Sequence, residues 1–127
     1  MEEIQKPLIL IAEDEDSNYT VLKMLIERKL YAEVIRARDG LEAVELTRTN
    51  ANLSLVLMDI KMPVMDGFEA TGIIKTERKE LPIIAITAYG LSGDEHKALS
   101  AGCDDYVSKP IQTSILFEKI KYFLNIA

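Results

Sequence analysis

The stretch "LVLMDIKMPVMDG", Leu55 to Gly67, carries the first decision about this chain. Four apolar residues, Leu55 to Met58, run straight into Asp59. A continuous apolar run of that length, with no polar alternation, is what a strand covered on both faces needs. Pro63 follows closely, and Asp66-Gly67 reads as a turn into the next element. Asp59 is then either an ordinary polar strand end or a group placed for chemistry, and the rest of the chain must distinguish the two.

The same kind of strand recurs at regular intervals. Leu8 to Ala12 is an unbroken apolar run, and Glu33 to Arg36 is a weaker one. Leu53 to Met58 makes the third strand, Pro82 to Ile86 the fourth and Asp105 to Ser108 a short fifth. Between them the apolar residues take helical spacing: Val21, Leu22, Leu25 and Ile26 between Asp16 and Lys29, then Ala43, Val44 and Thr47 after Asp39-Gly40. A third helix spans Phe68 to about Glu77, locally weakened by Gly72. Ser92 and Glu95 form a capping-box pair opening the fourth helix, and Gly102 is placed to close it. The fifth begins near Thr113, with Leu116, Ile120, Phe123 and Leu124 on one stripe. Residues 1–7 are polar, end in proline and read as a tail or linker remnant, which leaves residues 8–127 as one domain. Five strand–helix units predict an α/β fold: a doubly wound, five-stranded parallel sheet with five helices covering both faces.

Composition narrows the function. A chain of 127 residues, 48% hydrophobic and 28% charged, fits one ordinary globular domain. No apolar run approaches the ~18 residues of a membrane helix, so a cytoplasmic location without membrane contact is the default expectation. The net charge of −6 argues against nucleic acid as a direct ligand. The single cysteine, Cys103, excludes an internal disulfide and any multi-cysteine metal site; a small filler near a turn is the simplest account of it.

In a doubly wound sheet, ligands bind outside the carboxyl ends of the strands, where the strand order reverses. The residues to inspect are therefore Glu13 and Asp14, Arg36, Asp59, Thr87 and Lys109. In the flavodoxin-like order 2-1-3-4-5, strands one and three are neighbours at the switch point, which brings Glu13, Asp14 and Asp59 together. Three carboxylates within ~5 Å repel by roughly 3 kcal/mol per pair at an effective dielectric of ~20. A divalent cation relieves that cost, and hard oxygen ligands suit magnesium. Thr87 adds a hydroxyl, Ala88 leaves room for a group to approach the backbone, and Lys109 adds a positive charge on a long stem. A carboxylate nucleophile, a metal and a cation are the parts of a phosphoryl-transfer site, with Asp59 as nucleophile and Glu13 and Asp14 on the metal.

At this point the sequence resembles the receiver domain of two-component response regulators, over Leu8 to about Leu124. The matching motifs are "LILIAEDE", "LVLMDIKMPVMDG", "PIIAITA" and "AGCDDYVSKPI", in order and at the right spacings. The resemblance implies that Asp59 is the phosphoacceptor, fed by a phosphohistidine. It implies that Glu13, Asp14, Asp59 and the backbone carbonyl of Lys61 bind Mg2+, and that Thr87, Ala88 and Lys109 surround the phosphoryl oxygens. Tyr106 matches the aromatic that turns inward as Thr87 moves, and Lys109-Pro110 matches a bond usually cis in the family. The implied partner is a histidine phosphotransfer domain or the dimerisation helices of a histidine kinase, meeting Val21 to Ile26 of the first helix.

Departures from the family pattern are few. Glu13 stands where many relatives have aspartate, a longer arm able to reach the metal through water. Lys61 and Tyr89 occupy positions that tune phosphoryl lifetime, and a bulky Tyr89 would screen water. His96 lies on a polar helix face and reads as surface. The expected activity is self-assisted phosphotransfer and autodephosphorylation, with no turnover of small molecules by this chain alone. Two alternatives remain open: an aspartyl-nucleophile magnesium phosphohydrolase, and a degenerate receiver acting only as a binding module. The "EDEDSN" start and the polar leader lean toward a receiver of a hybrid sensor histidine kinase over a free single-domain regulator.

Overall fold

The computed structural model describes residues 6–88 and 94–126. Five strands, β1 (Leu8–Ala12), β2 (Glu33–Ala37), β3 (Leu53–Asp59), β4 (Ile83–Thr87) and β5 (Asp105–Ser108), form one sheet in the order β2-β1-β3-β4-β5. All four pairings are parallel. Five helices alternate with them: α1 (Asp16–Lys29), α2 (Gly40–Thr49), α3 (Gly67–Glu77), α4 (Asp94–Ala101) and α5 (Thr113–Leu124). The doubly wound architecture expected from the apolar runs is the one observed.

The apolar strands are continuous because both faces of the sheet are covered. Ile9, Ile11, Leu55, Leu57, Ile84 and Ile86 pack under α1 and α5 with Leu22, Ile26, Leu116 and Ile120. Leu10, Val56, Met58, Ile83 and Ala85 face the other way, onto Ala43 and Val44 of α2, Ala70 and Ile74 of α3 and Ala98 of α4. β1, β3 and β4 are central and almost fully buried, so alternate residues serve opposite cores. β2 lies at the edge, which explains its weaker apolar signal.

The structure refines the turn reading of Asp66-Gly67: Asp66, like Asp39 ahead of α2, is a helix N-cap, and the Oδ1 atoms of Asp39 and Asp66 accept the N–H groups of Glu42 at 2.8 Å and Glu69 at 2.9 Å. The following glycines are demanded by space. A Cβ on Gly40 would lie 2.1 Å from the Met65 carbonyl oxygen, and one on Gly67 would lie 2.5 Å from that of Asp59. Thus α2 and α3 both begin pressed against the loop that leaves Asp59. Gly102, at φ 113°, does close α4: its N–H donates to the Leu99 carbonyl and that of Cys103 to Ala98. Ser92 of the expected capping box lies outside the described residues, as do Tyr89 and residues 1–5 of the leader.

Strand ends also move slightly. β3 extends through Asp59 and β4 through Thr87, because each still pairs with its neighbour: Asp59 with Ile86 and Thr87 with Ser108. Asp59 and Thr87 therefore stand on the last residue of a strand, while Glu13, Asp14 and Lys109 follow directly after β1 and β5.

Candidate functional site

The carboxyl ends of β1 and β3 are adjacent, with Ala12 opposite Met58. Carboxylate oxygens of Glu13, Asp14 and Asp59 accordingly lie within 4.8 Å of one another. Glu13 and Asp59 are buried and Asp14 is exposed, so the notch has a dry floor and one wet wall. Each Asp59 oxygen has a donor: the Lys61 N–H reaches Oδ1 at 3.2 Å, and the Lys109 ammonium reaches Oδ2 at 3.2 Å. Lys109 is itself 38% exposed, a long stem leaning in from the tip of β5. The bond after it, Lys109-Pro110, is cis.

Glu13 is the electrostatically unusual member. Burial pushes its carboxyl up from 4.5 to about 7. The Glu15 N–H, donating to Oε2 at 3.1 Å, works against this, while the adjacent Asp59 charge adds to it. Near neutral pH the floor of the notch thus resists holding a full set of negative charges. The donor set fits a divalent cation: three carboxylates gathered at the ends of β1 and β3, one of them open to solvent.

The other expected residues take less symmetrical places. The Thr87 hydroxyl is buried at the tip of β4 and donates to the Val107 carbonyl at 3.4 Å, with Ser108 Oγ at 3.3 Å. Ser108 Oγ donates in turn to Glu95 of α4 at 3.3 Å, so Thr87 is tied to β5 and α4 and not to Asp59. Ala88 follows Thr87 and is half-buried. Tyr106 is half-buried on β5, with the Lys119 ammonium 5.4 Å from its ring centroid. Lys61 is exposed and borders a groove with Asp14, Met62 and Pro63. His96 is exposed on α4, as expected. Cys103 is buried against the Thr71 hydroxyl, and burial pushes its thiol up.

Beside the notch, Val21, Leu22 and Leu25 of α1, Pro110 and Ile111 ahead of α5 and Thr113 at its start line a largely apolar groove of about 330 Å³ that reaches Glu13 and Lys109. Val21 of this lining is 50% exposed, and Met24, also on α1, is 42% exposed. Arg36, singled out only by its place at a strand tip, touches the acidic loop: its Nε donates to the Glu13 carbonyl at 3.1 Å. Its place at the end of β2 was visible in the sequence, but nothing there said which way the guanidinium would turn.

The family described as response regulator receiver domain matches residues 9–121, and the chain belongs to that family. It is a receiver domain of two-component signalling. It is 40% identical over 119 residues to the polar-differentiation response regulator DivK of Brucella ovis, covering 92% of this chain and 95% of that protein. Among solved structures, the receiver domain of sensor histidine kinase PA1611 from Pseudomonas aeruginosa PAO1 matches with TM-score 0.86 at 33% identity, over 95% of this chain and 99% of that one. That domain holds a magnesium ion in its active-site cleft. The complex of the Saccharomyces cerevisiae histidine phosphotransfer protein Ypd1 with the receiver domain of Ssk1 gives TM-score 0.84 at 31% identity, over 96% of this chain and 91% of the matched one. Among the described residues, no helix is long and apolar enough to cross a membrane.

Proposed function

We propose that Asp59 accepts a phosphoryl group from a phosphohistidine and that the resulting acyl phosphate changes the surface around α4, β5 and α5. The observation that carries this is the pairing of Asp59 Oδ2 with Lys109 Nζ at 3.2 Å, on the floor of a notch where three carboxylates converge. Asp59 supplies the oxygen nucleophile: a P–O bond forms as the P–N bond to the donor imidazole breaks, and the imidazole leaves with a proton. Lys109 already stands beside the attacking oxygen, so its charge falls next to the transferred group without reorganisation. Thr87 and Ala88, at the end of β4, would supply a hydroxyl and open backbone to the same group. Glu13, Asp14 and Asp59, with the Lys61 carbonyl, would hold Mg2+, which when bound neutralises charge on the phosphoryl oxygens.

The acyl phosphate carries roughly two negative charges where the carboxylate carried one. Thr87 responds by leaving Val107 and Ser108 for the new acceptor, and Tyr106 moves into the space beside it, which alters the face shared by β5 and α5. The same notch assists loss of the phosphoryl group to water. The apolar groove beside α1 suits a helical histidine donor, either a phosphotransfer domain or kinase dimerisation helices, and those partners put the domain in the cytoplasm. Similarity extends both to a response regulator, DivK, 95% of whose length is covered, and to the receiver domain of a sensor histidine kinase, so the function proposed is the one common to both settings.

The test is intact-mass analysis after incubation with acetyl phosphate and magnesium. The expected result is one phosphoryl adduct, labile to hydroxylamine and absent from Asp59→Asn. A wild-type protein that gains no adduct would identify a binding module without chemistry, and sustained hydrolysis of phosphate esters would identify an enzyme instead.

A further inference from the structure

Arg36 is an expensive residue for the tip of an edge strand. Its side chain is only 12% exposed, and its Nη2 is buried with no hydrogen-bond partner among the described residues. Ordering so long a side chain and leaving a donor unmatched both disfavour the folded state. The remaining contacts all converge on one short segment. Nε donates to the Glu13 carbonyl at 3.1 Å, Nη1 donates to Asp16 Oδ1 at 2.7 Å, and the guanidinium lies 4.7 Å from the Tyr19 ring centroid. The Glu13 N–H is held as well, donating to the Ala37 carbonyl at 3.0 Å.

We infer that Arg36 is a positioning residue for the cation-binding notch, acting through the peptide that joins Glu13 to Asp14. That peptide links two of the three converging carboxylates, and any rotation of it would swing both side chains. Arg36 stops the rotation by holding its carbonyl. The same guanidinium draws Asp16 to the far side of the loop, so that a fourth acid of the run stays out of the notch. Arg38 donates to the same Asp16 oxygen at 3.1 Å but is 64% exposed, and among the described contacts it does not touch Glu13. The assignment rests on reading the notch as a divalent-cation site.

Charge and positioning predict opposite signs, which makes the inference testable. Through space, the positive guanidinium repels a cation, so its removal alone would tighten binding. Loss of the held carbonyl would loosen it. Calorimetric titration of Mg2+ into the full chain should give, for Arg36→Met, a dissociation constant raised about tenfold, in the range typical of groups that orient metal ligands. Arg36→Lys, which keeps the charge but can reach only one of the two acceptors, should fall between that variant and wild type. Arg38→Met should stay within about twofold of wild type by the same reasoning. Melting curves in chelator establish that each variant is folded, and if Arg36→Met is not, Arg36→Lys carries the test. An Arg36 variant that binds as tightly as wild type or more tightly overturns the inference, as does an equal loss in Arg38→Met. Wild type that takes up no Mg2+ overturns the cation-site reading itself, a different result from wild-type binding that Arg36 does not affect.

Discussion

Glu13→Gln should stabilise the metal-free protein near neutral pH while weakening its hold on metal. The buried Glu13 carboxyl titrates at about 7 in the folded chain and at 4.5 when free of it. A carboxyl raised in this way holds a proton in the folded state that the unfolded chain has already lost. The stability it contributes is complete below about pH 4.5 and disappears as the pH climbs through about 7. The gap between 4.5 and about 7, at about 1.4 kcal/mol per pH unit, amounts to about 3 kcal/mol by pH 8. At about 4 °C per kcal/mol for a domain of this length, that is a fall of about 10 °C in Tm. Gln keeps the shape and the acceptor for the Glu15 N–H but has no charge to desolvate. The assay is thermal unfolding followed by circular dichroism between about pH 5 and pH 8, in chelator and again with millimolar magnesium chloride. Wild type in chelator should lose stability across that window, and Glu13→Gln should lose much less. Magnesium should recover wild type at the high-pH end and the variant far less. The reasoning is refuted if Glu13→Gln in chelator melts no higher than wild type at about pH 8, or if its pH dependence matches that of wild type.

The two kinds of glycine should respond to alanine in opposite ways. A Cβ at Gly67 meets the backbone of Asp59 and Ile60, which cannot yield, so Gly67→Ala should cost about 3 kcal/mol or more in urea unfolding. Gly72 has nothing within 4 Å of a new Cβ, so Gly72→Ala should stabilise α3 by up to about 1 kcal/mol in the same measurement. Cys103, buried and with its thiol pushed up, should resist iodoacetamide in native buffer and react only at the rate of unfolding; rapid native alkylation, read by intact mass, would contradict its packing.

The sequence carried the architecture because each central strand had to be apolar on both sides. Leu8 to Ala12 and Leu55 to Met58 have no polar face, and only a sheet sandwiched between helices leaves no face wet. Parallel connection then obliged the strand tips to share one edge of the sheet. That is why acids 45 residues apart in sequence, Asp14 and Asp59, could be paired from the sequence. Asp66-Gly67 was less legible. A turn and a capped helix start use the same dipeptide, and the bond from the Glu69 N–H to Asp66 and the approach of Asp59 to α3 distinguish them.

What tertiary structure alone decided was which partner each polar group took. Burial of Glu13 and exposure of Asp14, neighbours in the chain, follow from which side of the β1 tip each one faces. The turn of Thr87 toward Ser108, and the reach of Arg36 across the end of β1, depend on atoms brought together from distant segments. Local sequence specifies backbone habit and solvent preference, both of which act over a few residues. Hydrogen bonds and charge pairs choose among whatever the packed elements place within about 3 Å of them, and that choice exists only once the chain has folded.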